Sequence, residues 1–374
     1  MAAVILLLIT PVLAGCLHSG GNTDIAESTE NLLYGCTDSS SLNYDASAEV
    51  NDTSCQYEVF TEPVEEGEPS PPIGNETELE EQAQATIDLW EGESRLLLIL
   101  VHPTDSTPGM GATEAESIMS DVNDWYVEVS GGKVWLNWTI TGWYALDDAG
   151  YSMQKAYQAA AEDGYNLTHY DRFVVGLQNL TARSMSTQGV QFYNVTTDDG
   201  IVQLLASRCD VKRFADTNST RNTLTHEMGH GFGLSHARFN GSVHGDIEQY
   251  GNQYDTMGSS STWRHFGAVY KHQMGWLDDE QVELVSQNGN YILKPLEGDD
   301  AHALRLSIGM VEEEINGETI ISEHFYYLEV RGVQEIDSSN KPGHTQLGVL
   351  NGVIINHAAP QQQYGYHKWL ATAQ

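Results

Sequence analysis

The segment Leu224–Phe239, LTHEMGHGFGLSHARF, places three histidines and one glutamate among small and apolar residues. On an α-helix His226 and His230 lie four residues apart, so their imidazoles project from one face, one turn apart. Two imidazoles in that arrangement can bind a single metal ion. Glu227 is offset around the helix and is therefore predicted not to be a ligand but to act as general base on a water at the metal.

Gly233 is predicted to end this helix. Glycine adopts backbone conformations that residues with a Cβ disfavour, so the chain can turn there and bring His236 back as a third ligand. Three histidines leave the fourth position of a tetrahedral zinc ion (Zn2+) open, which is typical of a catalytic site. The pattern therefore predicts zinc-assisted amide hydrolysis, and the alternative is a helix whose histidines simply pack in the core.

A methionine in the segment YDTMG, Tyr254–Gly258, extends the motif. The pattern H-E-x-x-H-x-x-G-x-x-H followed by such a turn resembles the metzincin zinc proteases, with Met257 as the methionine beneath the zinc. The segments HFGAVYKHQMGWL and FYYLEVRGVQEID make the chain similar to the gametolysin-type branch over about residues 93–357. The resemblance implies that His226, His230 and His236 bind zinc, that Glu227 is the base, and that the activity is endopeptidase cleavage of extracellular protein.

Some positions depart from that pattern or stay open. Gly258 and Ser259 follow Met257, so no tyrosine ligand is expected there, and Tyr254 is expected to pack. Cys209 is predicted to be a buried free thiol, with a thiolate on the metal as the alternative. Packing is the default for three further histidines, with a contact near the metal as the alternative: His244, His265 and His272. Three carboxylates are candidates to orient a metal-bound imidazole: Asp246, Glu248 and Asp255.

The first residues, MAAVILLLITPVLAGC, are a short apolar run followed by small residues, which predicts a signal peptide over residues 1–15. Its end, Leu13–Cys16, resembles a lipobox, which would make Cys16 a lipid anchor and residues 16–33 an anchor and spacer. A plain secretory signal is the alternative, and the missing Lys or Arg before the run departs from both. The expected location is extracellular or at the cell surface, with membrane contact only through the N-terminal lipid.

Two cysteines, Cys36 and Cys55, bracket a small polar module over residues 34–58. A disulfide between them would stabilise it by about 3 kcal/mol in an oxidising compartment. Five side chains there offer oxygens to calcium (Ca2+), although their spacing does not match an EF-hand and favours a solvated polar turn: Asp38, Asn43, Asp45, Asn51 and Asp52.

Residues 59–88 are rich in Pro and Glu without apolar periodicity and are predicted to be an extended acidic linker. The whole chain has a formal charge of −36. Such a surface repels a polyanion, which excludes nucleic acid as a natural partner.

The rest of the chain predicts an α+β fold in two domains. The apolar run RLLLILVHP indicates a buried strand, and Ile118, Val122, Trp125 and Val129 have helical spacing. Strands and helices alternate up to the histidine motif, whereas only strands separated by turn residues follow residue 278. We therefore expect a metzincin-like catalytic domain over residues 89–278 and a β-rich domain over residues 279–374.

The sequence predicts a secreted or surface-anchored zinc endopeptidase that acts on proteins or peptides through metal-activated water, with Glu227 as general base. The alternative is a catalytically silent surface binding protein that retains a structural zinc site. A glutamate beside the first histidine argues against that alternative, because a binding protein has no use for a base there. A zinc hydrolase acting on something other than peptides is a further, smaller alternative.

Overall fold

The structure is a computed structural model of the 374-residue chain, and it describes residues 3–7, 34–35, 47, 50–51, 74–146, 153–178, 184–239, 250, 252, 254–258, 264–315, 318–332, 352–363 and 366–373. The first elements are β1 (Ala3–Leu7), β2 (Tyr34–Gly35), β3 (Val50–Asn51), α1 (Glu76–Asp88), β4 (Gly92–Pro103), α2 (Ala112–Val129), β5 (Val134–Leu146), α3 (Met153–Glu162), β6 (Arg172–Leu177), β7 (Met185–Ser186), β8 (Gln191–Thr197) and β9 (Gly200–Val211). The remaining ones are α4 (Asn218–Gly231), β10 (Arg238–Phe239), α5 (Ala268–Gln273), β11 (Val282–Leu284), β12 (Gly289–Leu293), β13 (Ala303–Ile315), β14 (Glu318–Glu329), β15 (Ile354–Gln363) and β16 (Tyr366–Ala373).

The first large sheet has the strand order β5-β4-β6-β9-β7, with β8 also paired to β9. Strands β5, β4, β6 and β9 are parallel, whereas β7 and β8 run antiparallel to β9. The predicted apolar strand is confirmed as β4, whose residues Leu96–Val101 are all buried. A parallel strand covered on both faces needs such a continuous apolar run.

Alternate residues of β4 enter two different hydrophobic clusters. Leu96, Leu98 and Leu100 pack with α2, whereas Leu97 and Ile99 pack with α3. This follows from the alternation of side chains across a strand. The residues predicted to form one face of α2 are buried in the first cluster, which confirms the helical periodicity: Ile118, Val122, Trp125 and Val129.

Helix α1 departs from the extended linker predicted over residues 59–88. Asn75 accepts a hydrogen bond from the Glu78 N–H, and the Glu78 carboxylate accepts one from the Asn75 N–H. This capping box starts a helix that apolar periodicity does not reveal. Thr86 and Gln82 then accept hydrogen bonds from the backbone N–H groups of Val190 and Phe192, respectively, which attach the helix to the first sheet region. The linker prediction is therefore wrong for Glu76–Asp88.

The second large sheet has the strand order β10-β16-β15-β14-β13-β11. It contains the strands that follow residue 278 except β12, which pairs with β1, and the chain has a mixed α+β fold. Its residues Val282, Ala303, Tyr327 and Ala358 belong to the same buried cluster as Trp125 of α2. The two sheets therefore share a core, and a domain boundary at residue 278 stays a prediction.

The N-terminal predictions are mostly untested by the fold. Residues Ala3–Leu7 pair antiparallel with β12, and the signal peptide stays a prediction. Asn51 lies in β3. Among the helices of the described ranges, none has the length and apolar character needed to cross a membrane. The remaining predicted anchor, disulfide and calcium residues lie outside the described residues: Cys16, Cys36, Cys55, Asp38, Asn43, Asp45 and Asp52.

The attachment of α1 can be tested with Thr86→Val. The Thr86 hydroxyl is the acceptor for the buried Val190 N–H at 2.8 Å, and valine keeps the shape but removes the acceptor. We expect the free energy of unfolding, measured by chemical denaturation, to fall by about 1–3 kcal/mol. Gln84→Ala, on the exposed face of the same helix, should change it by less than about 0.5 kcal/mol. Equal stability of both variants would contradict this attachment.

Candidate metal centre

Helix α4 places two histidines of the motif on one buried face. The helix begins after Thr217, whose side chain accepts a hydrogen bond from the Thr220 N–H. Two turns later the rings of His226 and His230 lie with centroids 4.9 Å apart. Both side chains are buried, as is Glu227 between them in sequence.

The chain reverses direction at Gly233 and brings the third histidine back. Gly233 has a φ of 85°, a left-handed conformation that favours glycine. The Gly233 N–H donates to the carbonyl of His230 and the Leu234 N–H to that of Gly229, which is the Schellman pattern at a helix C-terminus. The His236 ring then lies 4.7 Å from that of His230, centroid to centroid.

The three histidines form a group that could hold a metal ion. One ring nitrogen from each of His226, His230 and His236 lies within 4.8 Å of the others. Nε2 of His230 and Nε2 of His236 are 3.0 Å apart. Within the part of the chain that the structure describes, this is the one such group of three or more His, Cys, Asp or Glu side chains.

Backbone carbonyls fix the orientation of two of these imidazoles. His226 Nδ1 lies 2.7 Å from the Thr256 carbonyl oxygen, and His230 Nδ1 lies 2.8 Å from that of Leu234. A carbonyl oxygen can only accept, so each Nδ1 carries the proton and donates it. Each Nε2 is left with its lone pair, the form that binds a metal.

Asp255, one of the three candidates to orient a metal-bound imidazole, instead hydrogen-bonds to backbone groups of the turn at Met257. Its carboxylate accepts hydrogen bonds from the backbone N–H groups of Met257 and Gly267 at 2.8 and 2.7 Å. Burial raises its pKa to about 6. It therefore shapes the turn that contains Met257, while the Thr256 carbonyl of that turn contacts His226. The other two candidate carboxylates, Asp246 and Glu248, lie outside the described residues.

The turn at Met257 packs directly on α4. Met257 is buried, and a Cβ at Gly229 would overlap its Sδ atom. The Ala237 N–H donates to the Met257 carbonyl at 2.7 Å. The methionine thus contacts the helix between His226 and His230 and is tied to the residue after His236.

None of the remaining candidates that the structure describes belongs to the three-histidine group. Cys209 on β9 is a buried free thiol, as predicted, and burial raises its pKa well above its usual value. Nδ1 of His265 lies 3.0 Å from Nζ of Lys271. His272 contacts the Tyr327 hydroxyl and the Asp279 carboxylate. Tyr254, expected to pack, is exposed instead. His244 lies outside the described residues.

Two residues at the site have no local sequence signal. The ring of Tyr250 lies 4.1 Å from that of His236 and 6.3 Å from that of His226, centroid to centroid. Arg172, buried at the start of β6, donates to the Met228 carbonyl at 3.2 Å and lies 4.0 Å from the centroid of the Phe232 ring. Only the folded chain brings these side chains to α4.

Comparison with known proteins adds no family to this geometry. No protein-family model matches the chain, and no curated protein matches it. The α+β fold and the three-histidine group are what the structure shows.

The turn at Gly233 can be tested with Gly233→Ala. Alanine in the left-handed region costs about 1–2 kcal/mol of stability, and relief of that strain would displace His236. We expect weaker metal binding, measured by competition with a chromophoric chelator. Gly164→Ala is the matched control, because Gly164 has a φ of 91° in the same Schellman arrangement after α3. It should lose similar stability and keep its metal affinity. Equal metal affinities in the two variants would contradict the role of Gly233.

Proposed function

We propose that this protein is an exported, zinc-dependent endopeptidase of the metzincin type, in which His226, His230 and His236 bind zinc and Glu227 is the general base. The observation that carries this proposal is the convergence of three imidazoles. In two of them Nδ1 is hydrogen-bonded to a backbone carbonyl, which leaves Nε2 for a metal. A glutamate in the same buried helical turn is the residue that hydrolysis needs in addition.

The donor set fits zinc. Two nitrogens that bind the same tetrahedral zinc lie about 3.3 Å apart, since each Zn–N bond is about 2.0–2.1 Å. The separation of 3.0 Å between the Nε2 atoms of His230 and His236 is close to that value. Three imidazole nitrogens without a carboxylate suit zinc better than calcium or magnesium, and they leave a position open for the reacting groups.

Zinc bound there would polarise the scissile carbonyl and activate a water molecule. The protein's own part in the reaction falls to Glu227. Its carboxylate accepts a proton from the attacking water and returns it to the nitrogen of the leaving amine. The Ser186 hydroxyl donates to the Glu227 carbonyl at 2.9 Å, which anchors this residue's backbone to the first sheet.

The metzincin assignment is supported by Met257 as well as by the histidine motif. Its contact with Gly229 sits on the helix between the two ligand positions. Export, and attachment through a lipid on Cys16, rest on the N-terminal sequence. An extracellular location makes environmental or surface proteins the substrates we propose.

The role of Glu227 is tested by Glu227→Gln, which keeps the size of the side chain but removes the base. We expect unchanged zinc content and a kcat at least about 100-fold lower on an unfolded, fluorescently labelled protein. Glu162→Gln, an exposed change on α3, should behave like the native protein. Full activity of the Glu227 variant would refute the proposed mechanism.

Metal dependence is tested by removing and restoring zinc. A chelator should abolish proteolysis, and added zinc should restore it. Because a metal that binds only the folded state stabilises it, Tm should fall and recover in parallel. If a well-folded, zinc-loaded sample cleaves nothing while its Tm still depends on zinc, the site is structural and the binding-protein alternative holds.

A further inference from the structure

The end of β14 on the second sheet carries a buried ionic pair. Glu329 and Arg331 are joined by contacts of 2.9 Å from Nε and 2.7 Å from Nη2 of the arginine to one carboxylate oxygen. Glu329 is 0% exposed and Arg331 is 4% exposed. A buried ion pair costs desolvation that its own attraction often fails to repay, so it is weak evidence for stability alone.

Both partners of this pair also hold the segments around Met257. Arg331 Nη2 donates to the Tyr254 carbonyl at 2.9 Å. The second carboxylate oxygen of Glu329 accepts from the Ala268 N–H at 2.6 Å, at the start of α5. The pair is therefore hydrogen-bonded to the chain on both sides of the Met257 turn.

Asn356 and Asp255 add hydrogen bonds to the same segments. Asn356 on β15 donates to Glu329 at 3.2 Å and accepts from the Asn252 side chain at 3.3 Å. Asp255 links the segments before and after the turn. Its carboxylate accepts hydrogen bonds from the N–H of Met257 and from the N–H of Gly267, which is next to Ala268.

The turn held by these hydrogen bonds contains the Thr256 carbonyl, which orients the imidazole of His226. Thr256 lies between Tyr254 and Met257, and its carbonyl accepts the hydrogen bond from His226 Nδ1 at 2.7 Å. A carbonyl direction is set by the backbone torsions on either side of it, so a displaced Tyr254 or Met257 would turn it away from the imidazole. Groups that orient a ligand histidine typically change metal affinity 10–100-fold when altered.

We propose that Glu329 and Arg331 are positioning residues of the metal centre, which act on His226 through the turn at Tyr254–Met257. This proposal rests on metal binding by the three histidines, and it is independent of whether the protein cleaves peptides. In this proposal the second sheet contributes to metal binding by holding the turn that orients His226.

The test uses the full-length protein and three variants. Arg331→Met removes the contact to Tyr254, and Glu329→Gln keeps the shape but removes the charge. Val330→Ala is the matched control, because Val330 lies between them in sequence and packs in a different cluster with Leu304 and Leu328. For each variant we would measure zinc affinity by chelator competition, the visible absorption of the cobalt-substituted protein, and Tm.

We expect zinc affinity about tenfold lower or more in Arg331→Met and Glu329→Gln. Their cobalt spectra should also change, since ligand orientation alters the field at the metal. Val330→Ala should lower Tm and leave both metal readouts unchanged. If Arg331→Met does not fold, Glu329→Gln decides. Native zinc affinity and a native cobalt spectrum in a folded variant whose Tm has dropped would overturn the proposal. Loss of peptidase activity alone would not bear on it.

Discussion

The buried C-terminal half of α4 imposes the constraint on which the rest of the structure depends. Carbonyls near a helix C-terminus lack partners within the helix, and a buried one left unpaired costs about 1–3 kcal/mol. Here four carbonyls at or near that end accept hydrogen bonds from distant segments, and the His230 carbonyl also accepts one from the Gly233 N–H. The carbonyls of Glu227, Met228, His230 and Phe232 accept from Ser186, Arg172, Gly189 and Trp90, respectively. Helix α4 therefore cannot shift along its axis without breaking contacts to several strands at once, and its histidines keep their positions.

Local spacing accounts for what the sequence could predict. The separation of His226 and His230, the turn at Gly233 and the alternation along β4 all follow from the geometry of one helix, one turn or one strand. The partners of the imidazoles were missed because they are backbone carbonyls of Thr256 and Leu234. Every residue has a carbonyl, so no side-chain pattern marks these two. Three carboxylates were candidates for that role because carboxylates often orient metal-bound imidazoles, but which group faces an imidazole depends on tertiary contacts.

Apolar periodicity also does not reveal segments that are held in place by polar side chains. Helix α1 has a weak apolar face and is attached through Gln82 and Thr86, residues that are common in linkers. Arg172 is buried beneath α4, where a positive charge is favourable near a helix C-terminus. Burial lowers its pKa to about 10, which leaves it protonated at neutral pH. Each of these residues is buried because a backbone group elsewhere needs its donor or acceptor.

The second sheet is likewise attached to the region of the three histidines by shared packing and by hydrogen bonds to backbone groups. Leu304, Leu328 and Val330 form a smaller cluster of their own, while Tyr327 and Ala303 of the second sheet lie in one cluster with Trp125, Phe266 and the motif residue Met228. Removing the second sheet would expose that cluster and leave the carbonyl of Tyr254 and the N–H of Ala268 without their partners. The turn beneath the histidines would keep the hydrogen bonds of Asp255 to the N–H groups of Met257 and Gly267 and that of the Ala237 N–H to the Met257 carbonyl, but it would lose those from the second sheet. The packing of the second sheet is therefore connected to the Thr256 carbonyl that contacts His226, through the hydrogen bonds of Glu329 to Ala268 and of Arg331 to Tyr254.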